Sequence, residues 1–160
     1  MTESPKTPSL DFVRQYFKDV SFENPRPLVS ADLEKSKTHV NIEVVVTHVH
    51  DQGTQAFFEI TLKTQVRLSD ADDTSLYLCE LDYAGVFGLK NVTDTEMRNL
   101  IVFVECPRLL FPFVRQHIAY LVQESGYPPV FLNPVDFHGL FAQRTEGLSE
   151  SEKESLISKA

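Results

Sequence analysis

Residues 56–68 read AFFEITLKTQVRL, and this stretch decides the fold class because apolar and polar side chains alternate along it. One face carries Ala56, Phe58, Ile60, Leu62, Val66 and Leu68, and the other carries Glu59, Thr61, Lys63, Gln65 and Arg67. Alternation with a period of two places the two sets on opposite faces of a β-strand. The stretch therefore predicts a long strand with one buried face, which ends at the acidic turn Ser69–Asp73.

The segments on either side of this strand also have strand patterns. Apolar residues at even positions predict a strand over Val40–Val46 that turns near Asp51–Gly53, and a further strand is predicted over Leu76–Val86. Residues Val20–Glu23 alternate like an edge strand, after a short helical segment over Phe12–Phe17. Short turns between successive strands favour antiparallel neighbours. The first half of the chain therefore predicts a four-stranded antiparallel sheet with one face to be covered.

The second half of the chain supplies helices for that cover. Thr93 and Glu96 have the spacing of a capping box, which predicts the start of a helix that Pro107 ends. A longer helix is predicted over Pro112–Ser125, and Asn133–Pro134 predicts the start of a short carboxy-terminal helix. The predicted fold class is α+β, a four-stranded antiparallel sheet covered by a long helix and a short carboxy-terminal helix.

Composition bounds the domain organisation and the classes of partner. A single domain is predicted over residues 1–146 with residues 1–9 flexible, and the Ser-, Glu- and Lys-rich residues 147–160 are predicted to be a disordered tail. The net charge of -8 repels phosphate backbones and anionic membranes, which argues against nucleic-acid binding. Two cysteines in separate apolar segments fit a reducing compartment. Without a signal-like or membrane-spanning apolar run, the chain is expected to be cytoplasmic and not membrane-inserted.

Motifs for catalysis or metal binding are not found in the sequence. GxxxxGK[ST], GxGxxG, GxSxG and HExxH are all missing, so nucleotide-driven and hydrolytic chemistry lack their usual sites. His48 and His50 could share a strand face as metal ligands, but no carboxylate or cysteine stands at a matching spacing. His117 and Cys106 lie in apolar surroundings typical of packing. The sequence predicts a protein that is not an enzyme and holds neither a metal nor a cofactor.

Four short blocks of this sequence resemble the SecB family of bacterial protein-export chaperones. They are KDVSFENP at residues 18–25, LCELDYAGVF at 78–87, CPRLLFPFVR at 106–115 and LNPVDFHGLF at 132–141. The blocks occur in family order, and CP-x-x-LFP is the most specific. The resemblance implies an ATP-independent holdase that keeps precursor proteins unfolded and translocation-competent and delivers them to the motor ATPase SecA. It also implies a homotetramer built as a dimer of dimers.

The resemblance also implies roles for residues at matching positions. The surface that docks SecA matches Asp19, Glu23, Leu78 and Glu80, and the tetramer interface matches Cys79, Leu81 and Tyr83. Strand alternation sends Leu78 and Glu80 to one face and the three interface positions to the other. Six aromatic residues in the region of the family's client grooves are predicted to bind unfolded chains, although for each of them a core position is the competing interpretation. They are Phe57, Phe58, Tyr127, Phe131, Phe137 and Phe141.

Two other functions remain open at the level of sequence. One is a SecB-like chaperone dedicated to a single client such as an antitoxin, and SecA binding separates it from a general export chaperone. The other is a ligand-binding or enzymatic α+β domain, which turnover or saturable binding of a small molecule would reveal.

Overall fold

The computed structural model describes residues 6–27 and 32–160, and it confirms the α+β fold class. Of the predicted flexible residues 1–9, residues 1–5 lie outside the described part, residues 6–8 precede the first strand, and Ser9 begins it. The strands are β1 (Ser9–Glu23), β2 (Lys37–Gln52), β3 (Gln55–Ser69), β4 (Ser75–Lys90) and β5 (Ile157–Lys159). The α-helices are α1 (Thr95–Leu100), α2 (Cys106–Glu124), α3 (Phe137–Thr145) and α4 (Glu150–Ser155).

The strands form one sheet in the order β1-β4-β3-β2-β5. All neighbours are antiparallel except β5, which pairs parallel with β2. The prediction of four strands was therefore one strand short. The fifth strand comes from residues 147–160, for which disorder was predicted; there Ser149 and Glu152 form a capping box for α4, and Leu156 and Ile157 pack against the core. Two apolar residues in a polar segment are too few to give a periodic signal.

The predicted helical segment over Phe12–Phe17 is wrong, because β1 is extended throughout. Its pairing with β4 is interrupted twice, between Phe12 and Arg14 and between Phe17 and Asp19. Each β-bulge adds one residue to a strand and so shifts the alternation of its side chains by one position. The apolar residues of β1 consequently occur at mixed spacings that resemble a helix.

The core lies between one face of the sheet and α2. Ile60, Leu62 and Val66 of β3 are fully buried, and α2 buries Leu110, Val114 and Ile118 against them. Gly85 of β4 allows this close packing, since a Cβ at that position would lie 2.8 Å from Leu110 Cδ2.

The helices differ from the predictions at their starts. Asp94 caps α1 in place of Thr93, and Asp136 caps α3 in place of Asn133. Pro107 does not end a helix, because a π-helical turn over Ile101–Glu105 carries the chain from α1 into α2. There the Cys106 N–H donates to the Ile101 carbonyl, five residues back, and Pro107 lies in the first turn of α2, where its missing N–H is tolerated.

Candidate binding grooves and docking face

An apolar groove runs between the outer edge of β2 and helix α3, with a volume of about 300 Å³. Its lining residues are Ile42, Glu43, Val44, Phe103, Phe137, Leu140, Phe141 and Arg144. The Phe103 ring forms the floor and stacks on Phe141 with centroids 5.1 Å apart. The Arg144 guanidinium also lies over the Phe103 ring, 5.7 Å from its centroid. Its Nη1 donates to the Val44 carbonyl at 2.8 Å. We call this site the β2–α3 groove.

Local sequence explains why α3 stands at this edge. The Asp136 carboxylate accepts from the Gly139 N–H at 3.0 Å and so begins the helix. A Cβ at Gly139 would meet Asp136 Oδ2 at 2.4 Å, which makes a larger residue incompatible with this cap geometry. Phe137 then inserts into the core, 1% exposed and edge-on to Phe111 of α2, whereas Leu140 stays 41% exposed. One turn of helix thus provides both an anchor and an exposed apolar ridge.

A second groove, of about 690 Å³, lies between α2 and the loop that follows it. Arg115 connects the two, since its Nε donates to the Leu132 carbonyl at 2.8 Å and its guanidinium lies 5.3 Å from the Phe131 centroid. Tyr120 and Phe131 line the groove and are among the most exposed apolar side chains of the described residues, at 60% and 62%. We call this site the α2–loop groove.

The structure does not bring the six predicted client aromatics together. Phe137 and Phe141 line the β2–α3 groove and Phe131 lines the α2–loop groove. Phe57 lies on the opposite face of the sheet, stacked on His50, because odd positions of β3 face away from the helices. Phe58 is buried at 3% exposure, and Tyr127 packs against Tyr77.

The residues that complete the grooves were missed at the level of sequence. Ile42 and Val44 have the pattern of ordinary buried strand positions, and no role was predicted for Phe103. For Arg144 the only available signal is that it is a basic residue near the end of a short helix, which does not by itself indicate a groove. The strand order, which puts β2 next to α3, is what makes these residues neighbours.

The opposite face of the sheet carries the predicted docking residues. The register pairs Asp19 with Asp82, Ser21 with Glu80 and Glu23 with Leu78, which places these side chains on one surface. This surface includes a polar hollow of about 270 Å³ that Glu43 and Lys63 also line. We call it the acidic face, and define it as Asp19, Glu23, Glu43, Leu78, Glu80 and Asp82 with their immediate neighbours.

Hydrogen bonds hold the acidic face in a fixed arrangement. Glu80 accepts from Gln65 Nε2 at 2.7 Å and from Ser21 Oγ at 3.3 Å, and Asp82 lies 3.4 Å from Lys63 Nζ. Further along the sheet, Glu59 accepts from Tyr16 and Lys18. Burial and this hydrogen bond raise the pKa of Tyr16 to about 12, so the phenol stays protonated as a donor. The five carboxylates of the acidic face outnumber the neighbouring basic side chains, Lys63 and Arg67, which leaves a negative surface.

The three predicted tetramer-interface residues are not on the surface. Cys79 and Leu81 are fully buried and Tyr83 is 4% exposed, all on the face that α2 covers. Tyr83 does contact residues that reach the surface, with its ring 5.4 Å from Phe17 and 5.1 Å from His117. Any influence of these three positions on assembly is therefore indirect, through neighbours that reach the surface.

The buried cysteines are unsuited to nucleophilic chemistry. Burial raises the pKa of the Cys79 thiol to about 11 and that of Cys106 still further. Thiols with such pKa values remain protonated at neutral pH, and only a thiolate is a strong nucleophile. Both residues therefore act as small apolar side chains in the core.

No helix of the described ranges is long and apolar enough to span a membrane. Residues 3–147 match the family model described as preprotein translocase subunit SecB. A protein-export protein SecB from Rhodopseudomonas palustris (strain HaA2) is 41% identical over 144 residues, covering 90% of this chain and 89% of the relative. The corresponding protein from Xanthobacter autotrophicus is 44% identical over 140 residues, covering 87% and 86%.

Among solved structures, the fold is similar to that of the Mycobacterium tuberculosis Rv1957 SecB-like chaperone. That protein was solved in complex with a ChAD peptide from the Rv1956 HigA1 antitoxin. The TM-score is 0.66 with 14% identity, and the match covers 79% of this chain and 91% of the other. At this identity the likeness concerns the fold.

Proposed function

Because the chain belongs to the SecB family, whose members act as chaperones in protein export, we propose that it holds precursor proteins unfolded and hands them to SecA. Holding requires exposed apolar surface on a molecule that remains soluble. The β2–α3 groove supplies that surface, and the net charge of -8 favours solubility. This solvent-open apolar groove beside a strand edge is the observation that carries the proposal.

The proposed mechanism is the sum of several weak contacts. A buried aromatic or aliphatic anchor contributes roughly 1.5 to 3 kcal/mol, so one groove alone binds weakly. We assign client contacts to Phe131, Phe137 and Phe141 of the predicted set, with Leu140 as an additional anchor. Grooves repeated over several subunits give tight binding that remains releasable. Such holding needs no nucleotide or bond-making chemistry, which agrees with a non-enzymatic cytoplasmic protein.

Replacing Leu140 with aspartate is expected to weaken client binding about tenfold, because a carboxylate then faces the apolar wall of the β2–α3 groove. The side chain is 41% exposed, so the fold tolerates the change. The measurement is fluorescence anisotropy with a labelled precursor protein kept unfolded by reduction and carboxymethylation. Met97→Asp is the matched control, since Met97 is 45% exposed and lines neither groove. The assignment of the groove would be wrong if both variants lost affinity for the precursor equally, or if neither variant lost affinity.

For the tetramer, we propose that pairing begins at the free edge of β1. This strand has 15 residues and pairs only with β4 among the described residues. Its apolar side chains Phe12, Val13, Phe17 and Val20 are 41% to 53% exposed. An exposed apolar edge strand is a common site for pairing with a second chain. A second copy would cover this row and, through Phe17, the contact with Tyr83 and His117.

His117 makes this assembly sensitive to pH. Burial lowers the pKa of His117 below its ordinary value near 6.5, so the folded state disfavours its charged form. A lowered pKa contributes stability that is complete above pH 6.5 and is lost as the pH falls through the lowered value. Covering the Phe17–His117 contact, whose ring centroids are 4.6 Å apart, extends the same effect to assembly. Sedimentation velocity should therefore show dissociation as the pH is lowered from 7.5 to 5.5.

Two variants serve as controls for this measurement. His117→Gln cannot be protonated and should stay assembled at pH 5.5, whereas Phe17→Asp should be dissociated at both pH values. A wild-type protein that is monomeric at pH 7.5 would contradict the tetramer. Assembly that persists in Phe17→Asp would place the interface elsewhere.

A further inference from the structure

The two edges of the sheet differ in what covers them. At one edge, β1 pairs only with β4 among the described residues, and its outer side is the proposed assembly surface. At the other edge, β2 pairs in parallel with β5 at Val46–His48. β5 belongs to residues 149–160, called here the strap, which comprise α4 and β5 and lie beyond residue 147, where the family match ends. The chain thus covers one edge with its own carboxy terminus.

A second uncovered edge would be a hazard for an assembly that forms through β1. In an antiparallel strand, alternate residues direct both N–H and C=O to the same side. The His48 carbonyl accepts from the Ala160 N–H, and the register with β3 is regular, so even-numbered residues from Thr38 to His48 point outward. Without the strap, this row would offer its backbone to β2 of another copy. Each copy would then bind one neighbour through β1 and another through β2, so the sheet could grow without limit.

The strap and α3 shorten that row of backbone groups. The Ala160 N–H occupies the His48 carbonyl at 3.0 Å, and Arg144 Nη1 occupies the Val44 carbonyl at 2.8 Å. The sheet now ends on β5, which has three residues, instead of on β2, which has 16. Ser158 and Lys159 of β5 are exposed. A short edge strand that carries a lysine is a poor template for pairing with another chain.

The strap is held by modest contacts, but it acts within one molecule. Leu156 and Ile157 are partly buried against the core, and Arg98 Nη2 of α1 lies 3.7 Å from Glu154 Oε1. Residues 146–148 alone connect α3 to the cap of α4. A connection this short keeps the effective concentration of β5 at the β2 edge at about the millimolar level. Pairing within the chain is therefore favoured over pairing with a dilute second copy.

We propose that the strap is an end-cap of the sheet, which blocks the pairing of β2 with β2 of a second copy and so limits the size of the assembly. This inference goes beyond the proposed holding function, because it concerns the number of copies that associate and not the client. It rests on the proposed β1 pairing only for the size that is reached. Opening the strap adds a contact at β2 whether or not β1 is paired.

The end-cap is tested with two substitutions that add the same charge at neighbouring residues. Ile157→Asp places a carboxylate against the core and should release β5, whereas the Ser158 side chain is exposed on the opposite face of the strand. In sedimentation velocity at rising protein concentration, Ile157→Asp should form species of about twice the wild-type mass or more. Ser158→Asp should keep the wild-type size. Wild-type size in Ile157→Asp, or equal growth in both variants, would overturn the end-cap.

Hydrogen exchange locates the new contact. The outward amides of Val40 and Ile42 have no backbone partner among the described residues, so they should exchange rapidly in the wild-type protein. In the enlarged species of Ile157→Asp these amides should become protected, and dilution should reverse the protection. Growth without protection at these residues would place the contact elsewhere and overturn the end-cap.

A double variant separates this inference from the proposed assembly through β1. Phe17→Asp alone should remove that assembly, and Ile157→Asp in the same chain should then give dimers, because only the β2 edge remains. Monomers in the double variant would overturn the end-cap. A wild-type protein that is monomeric would instead contradict the β1 assembly, and Ile157→Asp would still be expected to double its mass.

Discussion

Replacing Phe137 with alanine is expected to lower the free energy of unfolding by about 3 to 5 kcal/mol, the cost of deleting a fully buried aromatic side chain. The ring is 1% exposed and packs edge-on to Phe111, with centroids 5.9 Å apart. It fixes the first turn of α3, which presents Leu140 and Phe141 to the groove. Urea denaturation followed by circular dichroism measures the change in stability, and precursor binding measured on the folded variant should fall with it.

The matched control for this prediction is Leu140→Ala on the same helix. Because Leu140 is 41% exposed, its truncation should cost less than about 1 kcal/mol while still weakening client binding. The pair separates an anchoring residue from a contact residue. If Phe137→Ala were as stable as Leu140→Ala, helix α3 would not depend on the core for its position.

The sheet was predictable from sequence because its two central strands keep a strict period. In β3 and β4 the register places Phe58, Ile60 and Leu62 opposite Phe87, Gly85 and Tyr83, and no bulge interrupts these pairs. β1 was partly misassigned because two bulges alter the spacing that identifies a strand. β5 could not be predicted, since three residues become a strand only through the edge they pair with. The alternation of apolar and polar residues thus predicted a strand correctly only where no bulge interrupted it.

The acidic face and the β2–α3 groove also differ in how far the sequence predicts them. Apart from Glu43 of β2, the acidic face follows from alternation within β4 and the neighbouring β1, so Leu78 and Glu80 are correctly separated from Cys79 and Leu81. The β2–α3 groove depends on the order of strands in the sheet, which places residues 42–44 beside residues 137–144. The sequence analysis predicted the aromatic lining residues Phe137 and Phe141 but not the β2 residues Ile42 and Val44. Contacts between elements about 100 positions apart leave no periodic signal in the chain.

The two surfaces also occupy opposite faces of one sheet, and this separation bears on delivery. Client contacts are assigned to the helix side and the β2 edge, while the acidic face lies on the uncovered side. A client and a docking partner could therefore bind at the same time, and Glu43 is the residue that lines both the β2–α3 groove and the acidic face. The proposed delivery to SecA requires such simultaneous binding, because the client must remain held until the motor engages it.

Reversing the charge of Glu80 to lysine is expected to weaken SecA binding by about 10- to 100-fold, since carboxylates of the acidic face would meet basic groups of the partner. The substitution changes the local charge by two and removes the bonds from Gln65 and Ser21. Isothermal titration calorimetry at low and moderate salt measures the loss of affinity, which should shrink as salt screens the charges.

Glu124→Lys is the matched control, because Glu124 is exposed at the end of α2 on the other side of the sheet. Precursor binding and assembly should be unchanged in both variants, which separates docking from holding. Wild-type affinity for SecA in Glu80→Lys would remove the acidic face as the docking surface, and a wild-type protein that does not bind SecA would leave holding without delivery.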